Sequence, residues 1–395
     1  MKTTTTRPLE TGEKDRFIEI LRGVSVFLVF YYHYSDRLPY WALNAAAPAT
    51  LPFQLGKIGV YIFFAISGLL IAKSLEGSRS LADFYAKRIS RIWPLFIAAS
   101  LVIFAFLQVF DPPVVLTGPK QFYESPVGWV DLLGQLFFLN DLGFQWVDGV
   151  FWSILVELKF YFIIGLFALA FRRRYATVFG VVALVLASLD IAISHFAGPA
   201  GTVVSRVLHG ALIAQYLPIF AIGVMMHGRV YGGVFVGNVV LACAQAVYAV
   251  ADNPDFQIEA LVQFSVIFAL FLAFDAGVFR SRIMLFLGKY SYAIYLFHQM
   301  IGLTIISMLA STLGYDLSMV VAAASVISLS VVCALAVEWR YRRPLTSLLV
   351  KVFTLLKLDR ARLSLGATEN PGGSNGLTPQ TPQLNSQSAI VPAPR

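Results

Sequence analysis

VFWSILVELKFYFIIGLFALAFRRR, residues 150–174, decides how the rest of the chain is read. From Val150 to Phe171 the only charged side chains are Glu157 and Lys159, and three consecutive arginines, Arg172 to Arg174, close the run. A helix needs roughly 20 mostly apolar residues to cross about 30 Å of hydrocarbon, so this stretch has the length and composition of a membrane span. The arginines then mark its cytoplasmic end, because basic loops are retained on that side.

The same pattern recurs along the 395 residues, of which 58% are apolar and only 13% charged, with a mean hydropathy of +0.72. Soluble domains carry about 25% charged residues, so a water-soluble fold is excluded. Ten spans are expected, beginning near Phe17, Ile58, Ile92, Val150, Ala176, Val207, Val234, Ala260, Ser291 and Leu317. A further stretch, Trp129 to Leu139, is too short to cross and is read as re-entrant or interfacial. The expected fold is therefore all-α: a polytopic transmembrane helical bundle of about ten spans with both termini cytoplasmic. Residues 1–15 form a polar N-terminus without a cleavage-site pattern, residues 16–350 the membrane domain, and residues 351–395 a largely disordered tail rich in Pro, Gly, Ser, Asn, Gln and Thr.

Thirty Lys and Arg against 22 Asp and Glu give a net charge of +8. Such a balance suits either nucleic acid or basic loops on one membrane face, and the placement of the charges decides between them. Lys73, Arg79, Lys87, Arg88, Arg91, Arg229, Arg282, Lys289, Arg340, Arg342 and Arg343 fall with the Arg172–Arg174 run in alternate loops, whereas Asp111, Glu124, Asp131, Asp141, Asp148, Asp252 and Asp255 fall in the others. This sorting reports orientation, and no nucleic-acid partner is expected. The two cysteines, Cys243 and Cys333, lie inside apolar runs and are read as core filler.

Ionisable groups inside a membrane are costly enough to mark function. Arg22 and His33 are 11 residues apart on the first span, about three turns, which puts them on one helix face roughly 16 Å apart in depth. The second span contains FFAISGLL, in which Ser67 and Gly68 permit close helix approach. In KRISRIWP, residues 87–94, Arg88 and Arg91 share a face at the cytoplasmic surface, where paired guanidiniums suit a phosphate ligand and where ordinary topology also places arginines. On the fourth span Ser153, Glu157 and Tyr161 lie at i, i+4 and i+8, and Trp152 suits the outer interface. The ninth span opens SYAIYLFH, with Ser291, Tyr295 and His298 on one face and His298 expected in the cytoplasmic half. His195, His209 and His227 fall near span ends, and the spacing of the histidines matches no metal motif, so no metal is expected.

Taken together these segments resemble the acyltransferase-3 family of integral-membrane carbohydrate O-acyltransferases. The resemblance runs from about Arg16 to Pro344: Arg, ten residues and His in the first span; FFxxSGxL; RxxRxxP; WSxxxExxFY; SYxxYLxH; and a terminal Glu338 with Arg343 and Pro344. It implies transfer of an acetyl or related acyl group from cytoplasmic acyl-CoA to a hydroxyl of a cell-surface or secreted glycan, in a bacterial-type inner membrane. No bound cofactor is implied; acetyl-CoA is a co-substrate, and glycan-assembly machinery is a possible partner.

Acyl transfer needs a base, donors for the oxyanion and an anchor for the CoA phosphates. The resemblance maps the family's histidine to His33 and its first-span arginine to Arg22; His33 suits the base, and Glu157 is expected to orient it or to hold the imidazolium. Arg88, Arg91 and Ser67 are expected to bind the co-substrate, and Gly68, Trp152, Ser153, Tyr161, Ser291, Tyr295 and His298 complete the motifs. Direct transfer and an acyl-histidine intermediate both fit these residues. The same embedded Arg, Glu and His also fit a non-catalytic transporter or flippase of a lipid-linked sugar.

Overall fold

The computed structural model describes residues 11–37, 55–110, 127–197, 203–250, 281–356 and 363, and among them all regular structure is helical. The helices are α1 (Thr11–Tyr32), α2 (Leu55–Glu76), α3 (Leu81–Val109), α4 (Trp129–Leu136), α5 (Trp152–Phe171), α6 (Tyr175–Ala197), α7 (Val203–Arg206), α8 (Leu217–His227), α9 (Gly233–Val250), α10 (Arg282–Lys289), α11 (Ser291–Leu313), α12 (Tyr315–Cys333) and α13 (Trp339–Leu355). Among the described residues five helical stretches are long and apolar enough to cross a membrane: Ile58–Glu76, Leu81–Val109, Gly149–Ile193, Ser291–Leu313 and Tyr315–Val337. The third spans 45 residues and holds both α5 and α6, with the break at Arg172, where φ is +46°.

Among the described residues these stretches hold six of the ten expected spans, and local features set the others apart. Helix α1 has the length, but charges at Asp15, Arg16, Glu19 and Arg22 load its first half. The span expected from Val207 is broken into α7, a π-helical turn Val207–Ala211 and α8, with Ile213 at φ +48° and Pro218 at the start of α8. Its 11 residues reach only about 16 Å. The span expected near Ala260, the outer-loop residues Asp111, Glu124, Asp252 and Asp255, and nearly all of the expected tail lie outside the described residues, and of Glu338 only the backbone is described. Helix α13 continues past residue 350, where the sequence draws its domain boundary, and packs on α3 through a 2.5 Å Ser90–Thr346 hydroxyl bond.

Helix α3 has a defined start. Ser80 accepts from the Asp83 amide (3.2 Å), Asp83 accepts from the Arg79 amide (3.1 Å), and Lys87 pairs with Asp83 one turn on (2.7 Å). At 29 residues α3 is about 43 Å long, and α4 lies antiparallel along it. Trp129 of α4 packs on Phe104, while the Trp93 indole donates to the Leu136 carbonyl (3.1 Å) and Phe138 stacks on Phe96. Residues 129–138 thus run along roughly a third of the length of α3. The returning strand of the loop brings Phe151 to Phe96, so α5 starts alongside the middle of α3. Trp152 accordingly sits beside Phe64, nine residues into α2.

Helices α2 and α8 meet without intervening side chains. A Cβ on Gly68 would fall 2.2 Å from the Phe220 carbonyl oxygen, and one on Gly223 would fall 2.0 Å from that of Ala65. Phe220 then stacks on Phe64 (4.7 Å) and Phe160 (4.1 Å), locking α2, α5 and α8 into one core. Glu76 accepts from Tyr175 (3.5 Å) and bonds His227 (2.8 Å), gathering the ends of α2 and α8 and the start of α6 at the basic end of the bundle.

Candidate active site

Helices α1, α2, α3, α5 and α11 enclose a chamber of about 100 Å³. The periodicity of α5 delivers Ser153, Glu157 and Tyr161 to it together, and α11 delivers Ser291, Tyr292 and Tyr295. Glu157 Oε1 accepts from Ser67 Oγ at 2.6 Å and from the Tyr161 hydroxyl at 2.5 Å, with Arg22, Arg88 and Arg91 in the same wall. A half-buried carboxylate beside three guanidiniums and accepting from two hydroxyls is held in one orientation.

The chamber is continuous with a vestibule of about 500 Å³ at the basic end, since Arg22, Leu70, Arg91 and Tyr292 line both. The vestibule adds Arg16, Lys289 and Arg342, so five cations face a single carboxylate, Glu19, which bonds Arg22 at 3.0 Å. Sequence reasoning assigned Arg16, Lys289 and Arg342 to topology alone. They lie far apart in the chain, and no spacing rule could have joined them. Arg88 and Arg91 divide their duties: Arg91 borders both spaces, whereas Arg88 belongs to the chamber and donates to Ser74 at 2.8 Å.

At its inner end the chamber stops at Tyr295. The Tyr295 hydroxyl lies 2.6 Å from Ser153 Oγ and 2.9 Å from the Val150 carbonyl oxygen. Behind it, ring centroids 5.4 Å apart, is His298, and His298 Nε2 lies 3.3 Å from His33 Nδ1. Both histidines are buried, at 0% and 6% exposure, and neither lines the chamber. His33 Nδ1 also lies 2.7 Å from the Val29 carbonyl oxygen. Fully buried Asp148 pins the loop between α4 and α5 to α11, accepting from the Val150 and Met300 amides at 3.1 Å each.

Two expectations are corrected here. Glu157 does not orient His33: it is engaged with Ser67 and Tyr161, and the side chain against His33 is His298. His298 is also not in a different half of the bundle from His33, because the two rings touch, with centroids 4.8 Å apart at 76°. Of the other histidines, His209 pairs with Asp190 (2.8 Å) and His227 with Glu76, while the side chain of His195 lies outside the described residues. Among the described residues no three His, Cys, Asp or Glu side chains converge where they could hold a metal.

Comparison with known proteins places this geometry. An acyltransferase-domain family model matches residues 15–339. The chain is 25% identical over 344 residues to the acyltransferase MdmB of Streptomyces mycarofaciens, covering 78% of this chain and 84% of that protein. It is 30% identical over 145 residues to the O-acetyl transferase of Shigella phage Sf6, covering 34% and 41%, and 24% identical over 277 residues to the O-acetyltransferase OatA of Staphylococcus aureus, covering 62% and 45%. The chain thus spans less than half the length of those last two relatives. No solved structure matches it. With the family match running through every helix from α1 to α12, the chain belongs to the acyltransferase-3 family and is an integral-membrane acyltransferase.

Proposed function

We propose that the chain moves an acetyl or related acyl group from cytoplasmic acyl-CoA to a hydroxyl of a cell-surface or secreted glycan, across a bacterial-type inner membrane. The observation that carries this reading is the layered route itself: a five-cation vestibule, a narrow polar chamber, then Tyr295 and the histidine pair. The vestibule suits the phosphates of a CoA nucleotide, which are multiply charged and bind guanidinium forks well. A chamber of about 100 Å³ has no room for a nucleotide but accommodates a section of a thin pantetheine arm and its thioester. The names of the S. aureus and phage relatives, both O-acetyltransferases, support oxygen as the acceptor atom.

In this reading the base is His33 Nε2. Carbonyl oxygens only accept, so the contact with Val29 places the ring proton on Nδ1 and the lone pair on Nε2. Nε2 takes the proton of the glycan hydroxyl as its oxygen attacks the thioester carbonyl. The tetrahedral intermediate then expels the CoA thiolate, which receives that proton. The chamber arginines and the Ser153–Tyr295 hydroxyl pair are the groups placed to meet the oxyanion. An acyl-histidine intermediate uses the same nitrogen as nucleophile.

The test is the purified chain in nanodiscs with acetyl-CoA and surface glycan extracted from a strain lacking this gene, read by release of free CoA and by O-acetyl signals in proton NMR. His33→Ala is expected to abolish both. Full acetylation by a well-folded His33→Ala protein overturns the assignment. Movement of the glycan across the bilayer without acetyl-CoA supports a transporter instead.

A further inference from the structure

The pairing of His33 with His298 joins residues 265 positions apart, and no reading of spacing assigns it. His298 is fully buried, and its Nδ1 lies 2.7 Å from the Tyr295 carbonyl oxygen. That carbonyl can only accept, so His298 carries its proton on Nδ1 and presents the lone pair of Nε2 to His33. The Nδ1–H of His33 therefore points between two acceptors, the Val29 carbonyl oxygen at 2.7 Å and His298 Nε2 at 3.3 Å. On the far side of the pair, the Tyr34 hydroxyl donates to the His298 carbonyl oxygen (2.8 Å), which ties the end of α1 to the same turn of α11. The ring that holds His33 is itself held at both its backbone and its side chain.

We infer that His298 is the positioning residue of the base, taking the place that a carboxylate occupies in many histidine-based acyl-transfer sites. A neutral imidazole there does two things. It fixes the plane of His33 edge-on, at 76°, and its lone pair receives the Nδ1–H whose polarity increases when His33 accepts the hydroxyl proton. A carboxylate there would form a stronger pair but would add a second one to a layer that already holds fully buried Asp148, which is engaged with the Val150 and Met300 amides, while Glu157 is engaged with hydroxyls in the chamber. His298 touches no substrate in this arrangement and acts through His33, so the inference rests on His33 being the base.

The experiment compares His298→Phe, which keeps the ring volume without a lone pair, with His298→Gln, whose amide oxygen reaches the position of Nε2. Both are assayed in nanodiscs with acetyl-CoA and the extracted glycan. His298→Phe is expected to lower kcat about 10- to 100-fold with KM for acetyl-CoA within about twofold, in keeping with the loss of an outer partner of a functional histidine. His298→Gln is expected to recover most of that loss. If the Phe variant is not monodisperse, the unbranched His298→Met variant gives the same comparison. A kcat within twofold of wild type for His298→Phe, or equal impairment of Phe and Gln, overturns the inference while leaving His33 as base if His33→Ala is inactive. Full activity of His33→Ala overturns the base reading itself.

Discussion

Glu157 shows how much a single half-buried carboxylate can be asked to do. It accepts two short hydroxyl bonds, from Ser67 and Tyr161, beneath three arginines that its charge helps to keep close together. Removing it leaves those guanidiniums facing one another in a small space, so Glu157→Ala is expected to cost about 3 kcal/mol, on the order of 100-fold in kcat/KM. Ser67→Ala and Tyr161→Phe each delete one neutral donor and are expected to cost about tenfold or less. Steady-state kinetics of the three variants checks the order; a Glu157→Ala loss no larger than that of Ser67→Ala would mean that the carboxylate carries no charge-balancing role. The motif WSxxxExxFY made Glu157 and Tyr161 visible in sequence, because i and i+4 share a helix face. What it could not supply was the third member, since Ser67 comes from α2, 90 residues earlier.

Between elements, the decisive contacts are made by the smallest residues. Gly68 and Gly223 let the α2 and α8 backbones touch, and a side chain at either one collides with a carbonyl oxygen that cannot rotate away. Gly68→Val is expected to destabilise the bundle by about 2 kcal/mol or more, lowering the melting temperature in detergent by several degrees and reducing the yield of monodisperse protein. Gly210 has nothing within 4 Å of its added Cβ, so Gly210→Ala should be near neutral in the same assay. A Gly68→Val protein as stable as wild type would show that the two helices can separate freely. The sequence announced Gly68 as a point of close approach but not its partner, because GxxxG-type patterns name a face and leave the opposing helix open. Length likewise marked Trp129–Leu139 as too short to cross, while only the ring contacts with Phe96 and Phe104 set its place along α3.

Over the whole molecule, charge is sorted into an electrostatic funnel. Arg16, Arg22, Arg91, Lys289 and Arg342 come from α1, α3, α10 and α13, and together they face the vestibule. Lys289→Ala with Arg342→Ala is expected to raise KM for acetyl-CoA about tenfold with little change in kcat, and wild-type KM should rise with ionic strength more steeply than that of the double variant. Arg172→Ala with Arg174→Ala, outside the vestibule, should leave KM unchanged. Equal KM values in all three proteins would return these cations to a purely topological role.

Composition alone settled that this chain needs a lipid solvent, since 13% charged residues cannot clothe a body of this size in water. Helical periodicity settled which side chains within one helix travel together, which is why the triplet Ser153, Glu157 and Tyr161 was legible. The tertiary structure decided everything that depends on a second helix: Ser67 as the partner of Glu157, His298 in place of Glu157 beside His33, and the gathering of Lys289 and Arg342 with Arg91. It also decided where one run stops, because a break at Ile213 interrupts a stretch that hydropathy reads as continuous. The physical reason is one of range. Solvation and helix geometry are written into neighbouring residues, whereas a hydrogen bond or a shared cavity exists only once packing has brought distant residues within a few ångströms of each other.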